Sequence, residues 1–127
     1  MLVPEEKIKN HIYLIRGKRI MLDSDLAKLY GVKTKVLNQA VKRNIERFPE
    51  HFMFQLTQEE AEASRSQIVT LKRGQNIKYL PYVFTEQGVA MLSSVLSSKR
   101  AIQVNIQIIK SLLKSLNNLK IKQKNMI

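Results

Sequence analysis

Apolar residues recur along this chain at two different periods, and the changes of period mark its elements. Between Asp23 and Arg47 the apolar positions are Leu26, Ala27, Leu29 and Tyr30, then Val36, Leu37, Ala40, Val41 and Ile45. They repeat every three to four residues, as amphipathic helices require. Gly31 interrupts the repeat, and glycine is the usual residue where a helix ends in a left-handed conformation. The stretch therefore reads as two short helices joined by a tight turn, with Val32 packing into the corner. Asp23 is expected to cap the first helix, with Asp25 complementing its positive end, and Thr34 to cap the second. On the second helix Val36, Leu37, Ala40, Val41 and Ile45 are expected to face the core. Lys35, Asn38, Gln39 and Lys42 then share the outward face at i, i+3, i+4 and i+7, with Arg43 at its edge.

Elsewhere the period shortens. Ile12-Tyr13-Leu14-Ile15 and Arg19-Ile20-Met21-Leu22 flank Gly17-Lys18, which predicts a β-hairpin around a Gly-X turn. Residues 1 to 10 read as a short, frayed lead-in. Phe48-Pro49 ends the second helix, because the residue before proline avoids the α region. His51 to Leu56 alternates as a half-buried strand. Thr57-Gln58-Glu59-Glu60 is a capping box that starts a short helix ending near Ser64. Ile68 to Leu71 and Lys78 to Phe84 flank Lys72-Arg73-Gly74-Gln75-Asn76, a predicted hairpin with a basic tip. Thr85 is expected to cap a helix running to about Ser97.

A final helix is predicted from Ala101 to around Leu119, ahead of a disordered basic tail. It carries two apolar seams: Ile102, Ile106, Ile109, Leu113 and Leu116, and Ile109, Leu112, Leu116 and Leu119. That is more apolar surface than one small domain needs to cover. The helix is either deeply buried or pairs with another chain as a coiled coil, which makes a homodimer the expected assembly. The predicted fold class is α+β: a helix-turn-helix with small, winged-helix-like β-hairpins over residues 1–100, then a C-terminal helix over 101–127 that packs or dimerises.

Charge turns this pattern toward a partner. The 127 residues carry a net charge of +12, and no acidic residue follows Glu86. An excess of that size predicts a polyanion, nucleic acid first. The absence of cysteine excludes a disulfide framework and cysteine-based zinc sites, and fits a reducing cytoplasm. No apolar run approaches the roughly 18 residues of a membrane span, so no membrane partner is expected. His11 and His51 are the only histidines. His51 reads as an ordinary, partly buried strand residue, and Asp23 and Asp25 as caps rather than paired acids. Nucleophile, metal and phosphate-cradling patterns are all missing, so neither catalysis nor a cofactor is expected.

The second helix of such a pair can enter the major groove of double-stranded DNA. There asparagine or glutamine pairs with adenine, and lysine contacts guanine or phosphate. The expected DNA-contacting set is Thr34, Lys35, Asn38, Gln39, Lys42 and Arg43, with Lys72 and Arg73 reaching phosphates from the basic tip. The alternative is an antirepressor-like module that binds and inhibits a regulatory protein.

Four longer stretches carry a family resemblance. They are I-R-G-K-R-I-M-L-D-S-D-L-A-K-L-Y-G-V from Ile15 to Val32, R-F-P-E-H-F-M-F-Q-L-T from Arg47 to Thr57, R-S-Q-I-V-T from Arg65 to Thr70, and Y-L-P-Y-V-F-T-E-Q-G-V-A-M-L-S-S-V-L from Tyr79 to Leu96. In these the chain resembles the ORF-six N-terminal domain, a branch of the phage KilA-N DNA-binding superfamily, over roughly Ile12 to Leu116. The resemblance implies a DNA-binding regulatory domain of phage or prophage genes, often the N-terminus of a longer protein and sometimes an antirepressor. It carries over no catalytic residue. The chain ends soon after the domain, so a fused effector region is expected to be absent from it.

Overall fold

The computed structural model describes residues 3–64 and 79–125, and the side chains of the last helix as far as Lys114. A short helix, α1 (Glu5–Lys9), leads into a hairpin of β1 (Tyr13–Ile15) and β2 (Lys18–Leu22). Helices α2 (Asp23–Tyr30) and α3 (Thr34–Arg43) follow directly, then a 3-10 turn at Ile45–Arg47 and strand β3 (Met53–Gln55). Helix α4 (Gln58–Ala63), strand β4 (Tyr82–Thr85), α5 (Glu86–Leu92) and the long α6 (Lys99–Asn125) complete the order. The fold is α+β, as the periodicities predict.

The strands join one antiparallel sheet in the order β1-β2-β4-β3. Its two faces follow from strict alternation. Ile20, Leu22, Val83 and Phe54 pack with Ile15, Leu56 and Ala61 on the α4 side. Met21 and Phe84 point the other way, into the larger core with Leu26, Tyr30, Leu92 and Ile108. Residues 65–78 lie outside the described residues, and with them the predicted Ile68–Leu71 strand and the basic tip of Lys72 and Arg73. His51 occupies an exposed turn before β3 rather than the strand itself.

The first hairpin turns at Arg16-Gly17 rather than Gly17-Lys18, since Ile15 pairs with Lys18. Both turn residues have positive φ, 55° and 69°, the combination a type I′ turn needs to match strand twist. Arginine accepts that conformation here because its side chain is held at the far end. The Arg16 guanidinium donates to both carboxylate oxygens of Glu60, at 2.6 and 2.8 Å. It also lies 4.0 Å from the centre of the Phe54 ring. Glu60 closes the capping box of α4 as well, accepting from Thr57 N–H at 2.9 Å. With these donors around it, Arg16 foremost, the Glu60 carboxyl falls from 4.5 to about 2.

Helix α5 begins at a shared hinge. The Thr85 hydroxyl accepts from Gly88 N–H at 3.3 Å, capping the helix as predicted, and donates to His51 O at 2.8 Å. A Cβ on Gly88 would stand 1.9 Å from the Phe52 carbonyl oxygen. Only glycine lets α5 lie this close to the entry of β3. The helix stops at Leu92, short of the predicted Ser97. The Ser94 hydroxyl bonds back to Met91 O at 2.8 Å, the local competition by which serine ends a helix.

Helix α6 starts where Ser98 Oγ accepts from Ala101 N–H at 3.0 Å. It runs on to Asn125, so the backbone is helical where a disordered tail was predicted. Ala101, Val104, Ile108 and Leu112 face the body. Among them Asn105 accepts from the Tyr30 hydroxyl and donates to Val89 O and Ser93 Oγ, both at 2.8 Å. These three bonds tie α2, α5 and α6 together, and burial pushes the Tyr30 phenol well above its ordinary range. The two predicted seams therefore part: Leu112 is core, while Ile106 and Leu113 are 48% and 52% exposed. The N-terminal lead-in is not frayed. Val3 and Ile8 are buried, and Gln107 Nε2 donates to Val3 O at 3.1 Å, so α1 is seated on α6.

The Arg16–Glu60 clamp predicts an acid-sensitive increment of stability. The folded-state pKa lies below the unfolded one, so the increment is present above about 4.5 and is lost as pH falls toward about 2. Glu60→Gln keeps the capping box but not the ion pair. At pH 7 it should lower urea-unfolding stability by about 1 kcal/mol, the upper end for an ion pair of this exposure. The difference between the two proteins should shrink steadily from pH 5 to pH 2. A difference independent of pH refutes the assignment.

Candidate nucleic-acid interface

The turn between α2 and α3 forms as the sequence predicts. Gly31 has φ 77°, its N–H reaches Lys28 O at 3.2 Å, and Val32 N–H reaches Ala27 O at 3.0 Å. The caps differ by one residue. Leu22 precedes α2 and Lys33 precedes α3, neither through its side chain, so Asp23 and Thr34 are the first residues inside their helices. Thr34 is half-buried at the start of α3.

The orientation of α3 departs from the predicted one. Only Leu37 and Val41 are buried, Ala40 is half-buried, and Val36 and Ile45 are 51% and 52% exposed. The physical reason is position. A helix at the margin of a domain, packed on α2, seats one narrow row rather than the wide apolar arc its sequence offers. The open face is made of Lys35, Val36, Gln39, Lys42 and Arg43, all exposed. Among the described residues none of these three cations has an ion-pair partner. Gln39 sits at the centre of the face, with Lys35 and Val36 one turn before it and Lys42 and Arg43 one turn after.

Asn38 is not on that face. It turns inward and its amide donates to Asp23 Oδ2 at 3.0 Å and to the Tyr79 hydroxyl oxygen at 2.9 Å. The expectation that Asn38 reaches base edges is corrected: its donors are spent inside the protein. Asp23 is fully buried and also accepts from Ser24 N–H at 2.7 Å, from the Tyr79 hydroxyl, and from Tyr82 N–H at 3.4 Å. Burial first, and then the Asp23 carboxylate, push the Tyr79 phenol well above its ordinary value. Sequence reasoning missed both Asp23 as an anchor and Tyr79 as its partner. An aspartate at a helix start has an adequate local explanation as a cap, and its true partner lies far along the chain. Lys72 and Arg73, predicted as phosphate contacts, lie outside the described residues.

The other predicted cap, Asp25, is also a tertiary partner. Its buried Oδ2 lies 3.2 Å from His11 Nδ1. Burial pushes the Asp25 carboxyl up, and the adjacent imidazole opposes the shift. The pair ties the segment before β1 to the first turn of α2 and is a structural contact. No helix among the described residues is long and apolar enough to cross a membrane.

Comparison with known families places this architecture. The family model of the ORF6N domain matches residues 10–95, a span that holds the whole sheet, α2, α3 and α5. No curated protein and no solved structure matches the chain.

Two neighbouring amides in α3 should respond unequally to the same truncation. Gln39→Ala removes an exposed side chain and should change unfolding free energy by less than about 0.5 kcal/mol. Asn38→Ala takes a donor from a buried carboxylate and should cost about 1–3 kcal/mol. Urea titration of both variants checks this, and equal effects would contradict the observed rotation of α3.

Proposed function

Since the chain belongs to the ORF6N domain family, a family of phage type, we propose that it is a sequence-selective double-stranded DNA-binding domain of a phage- or prophage-type transcriptional regulator. The helix pair α2–α3 acts as a helix-turn-helix, and α3 enters the major groove. The observation that carries this reading is the exposed face of α3, where cations with no ion-pair partner among the described residues surround an exposed amide and a methyl-bearing side chain. Gln39 is suited to a bidentate pair with adenine, and Val36 to the methyl group of thymine. Lys35, Lys42 and Arg43 supply guanine or phosphate contacts, and Thr34 lies near the backbone at the helix start. The net charge of +12 supplies the sequence-independent attraction.

Gln39→Ala should cost roughly 1–3 kcal/mol at one or two positions of an operator selected from random DNA, and relax discrimination there. Lys35→Ala with Lys42→Ala should weaken all sequences alike and reduce the salt slope by about one for each lost phosphate contact. If Gln39→Ala retains full affinity and unaltered preference, α3 is not the reader.

A second reading, protein binding, is supported by the outward stripe of α6. Ile102, Ile106 and Leu113 are exposed there, with Ile109 half-buried beside them. Their spacing of four, three and four is that of one half of a coiled coil. Pairing with a second copy gives a homodimer that carries two α3 helices to two half-sites. Ile106→Glu with Leu113→Glu should then sediment as a folded monomer, whereas Leu112→Glu should unfold the domain. Should the unaltered chain be monomeric at high concentration, self-pairing is excluded, and the stripe is left to a different, regulatory protein as an antirepressor-like module would use it.

A further inference from the structure

We propose that Asp23, Asn38 and Tyr79 form a latch that sets the rotation of α3 about its axis and thereby the aim of Gln39. The inference rests on α3 being the reading helix.

Three separate parts of the chain meet at one carboxylate. Asp23 belongs to the first turn of α2, Asn38 to the inner flank of α3, and Tyr79 to the approach to β4. Asp23 Oδ2 accepts from the Asn38 amide at 3.0 Å and from the Tyr79 hydroxyl, and that hydroxyl oxygen accepts from the same amide at 2.9 Å. The triangle is closed, and each pair in it is hydrogen-bonded. Asp23 Oδ1 and Oδ2 take two backbone donors besides, Ser24 N–H and Tyr82 N–H, which fix the carboxylate to the start of α2 and to β4.

A latch at this point does what the apolar contacts of α3 do not. Leu37 and Val41 form a single row against the body, and apolar contact is non-directional. Alone, such a row leaves rotation of the helix weakly determined. Asn38 lies directly between Leu37 and Gln39, and its bonds to Asp23 and Tyr79 are directional. They pull one flank of α3 inward and hold the next residue, Gln39, outward. Recognition of a base edge tolerates an error of only about 0.5 Å or 10–20°, so this rotation decides whether the Gln39 amide meets its partner. Tyr79 spends its hydroxyl inward while its ring stays half exposed beside α3. It acts through Asn38 and Asp23, and is a positioning residue.

The test uses the full chain with Tyr79→Phe and, separately, Asp23→Asn, read on a selected operator and on random duplex DNA. Tyr79→Phe removes one atom from a half-exposed residue. It should lower operator affinity about tenfold, as expected for a lost hydrogen bond to a charged group, with random-DNA affinity and salt slope unchanged. Asp23→Asn should lower operator affinity while random-DNA affinity holds or rises, because a negative charge behind the interface is gone. Amide resonances of the DNA-free Tyr79→Phe protein should shift along residues 34–43. Shifts confined to the neighbourhood of residue 79, or operator preference intact in both variants while Gln39→Ala loses it, would overturn the latch. An equal loss on operator and random DNA would overturn it too, by making Tyr79 a direct contact. A neutral Gln39→Ala is a separate outcome, and rejects α3 as the reader.

Discussion

The fold depends on a sheet that must be covered on both faces. Strand β4 lies inside it, hydrogen-bonded to β2 on one side and to β3 on the other. Val83 and Phe84 are adjacent, so they point to opposite faces, and both are fully buried. Among the described residues, α4 packs on the first face through Ala61, with Leu56 and Leu80 beside it, and α2, α5 and α6 cover the second. Helix α2 leaves β2 without a linker, and α5 leaves β4 without one. Their places are therefore set by the strands they continue. Among the described residues, helix α3 is held to this frame chiefly through α2 and the Asp23 cluster, and its Lys35, Val36, Gln39, Lys42 and Arg43 side is exposed.

Much of the fold is legible in the sequence because its causes are local. Gly31, the Thr57 capping box and the Thr85 cap act within a few residues of themselves, and each is found where the pattern places it. The misreadings share a different cause. Val36 and Ile45 are as apolar as Leu37 and Val41, and only the position of α2 decides which pair is buried. Leu112 and Leu113 are identical side chains, separated by the angle at which α6 meets the body. The five residues of α1 have too little helix of their own to form alone. They are ordered by burial of Val3 and Ile8 against a helix that begins about ninety residues later. On the candidate interface, the basic and amide character of the face was legible. That Asn38 is withdrawn from it was not, since this follows from Tyr79.

The polar interior is sparse and placed where apolar packing leaves a degree of freedom. Asn105 satisfies Tyr30, Val89 and Ser93 together, and an unmade bond at that depth is costly. This pins α6 against sliding along its own axis. The Asp23 cluster has the corresponding effect on α3. In both cases a short polar side chain converts contact between apolar surfaces into one defined arrangement.

The strand order has a consequence for how the chain acquires its shape. Ile20 pairs with Thr85, so β2 has no partner on its inner edge until the chain has been made past β4. Val3 waits longer still, for Gln107. A polypeptide emerging from the ribosome can form the hairpin and the α2–α3 pair early, from local contacts. These remain a provisional assembly with half a sheet and a bare apolar face. The larger core is complete only once α5 and α6 have been made, because Val89, Leu92, Val104 and Ile108 belong to it. Fragments ending before β4 lack the middle of the sheet, and α2 in them lacks the α6 surface it packs against.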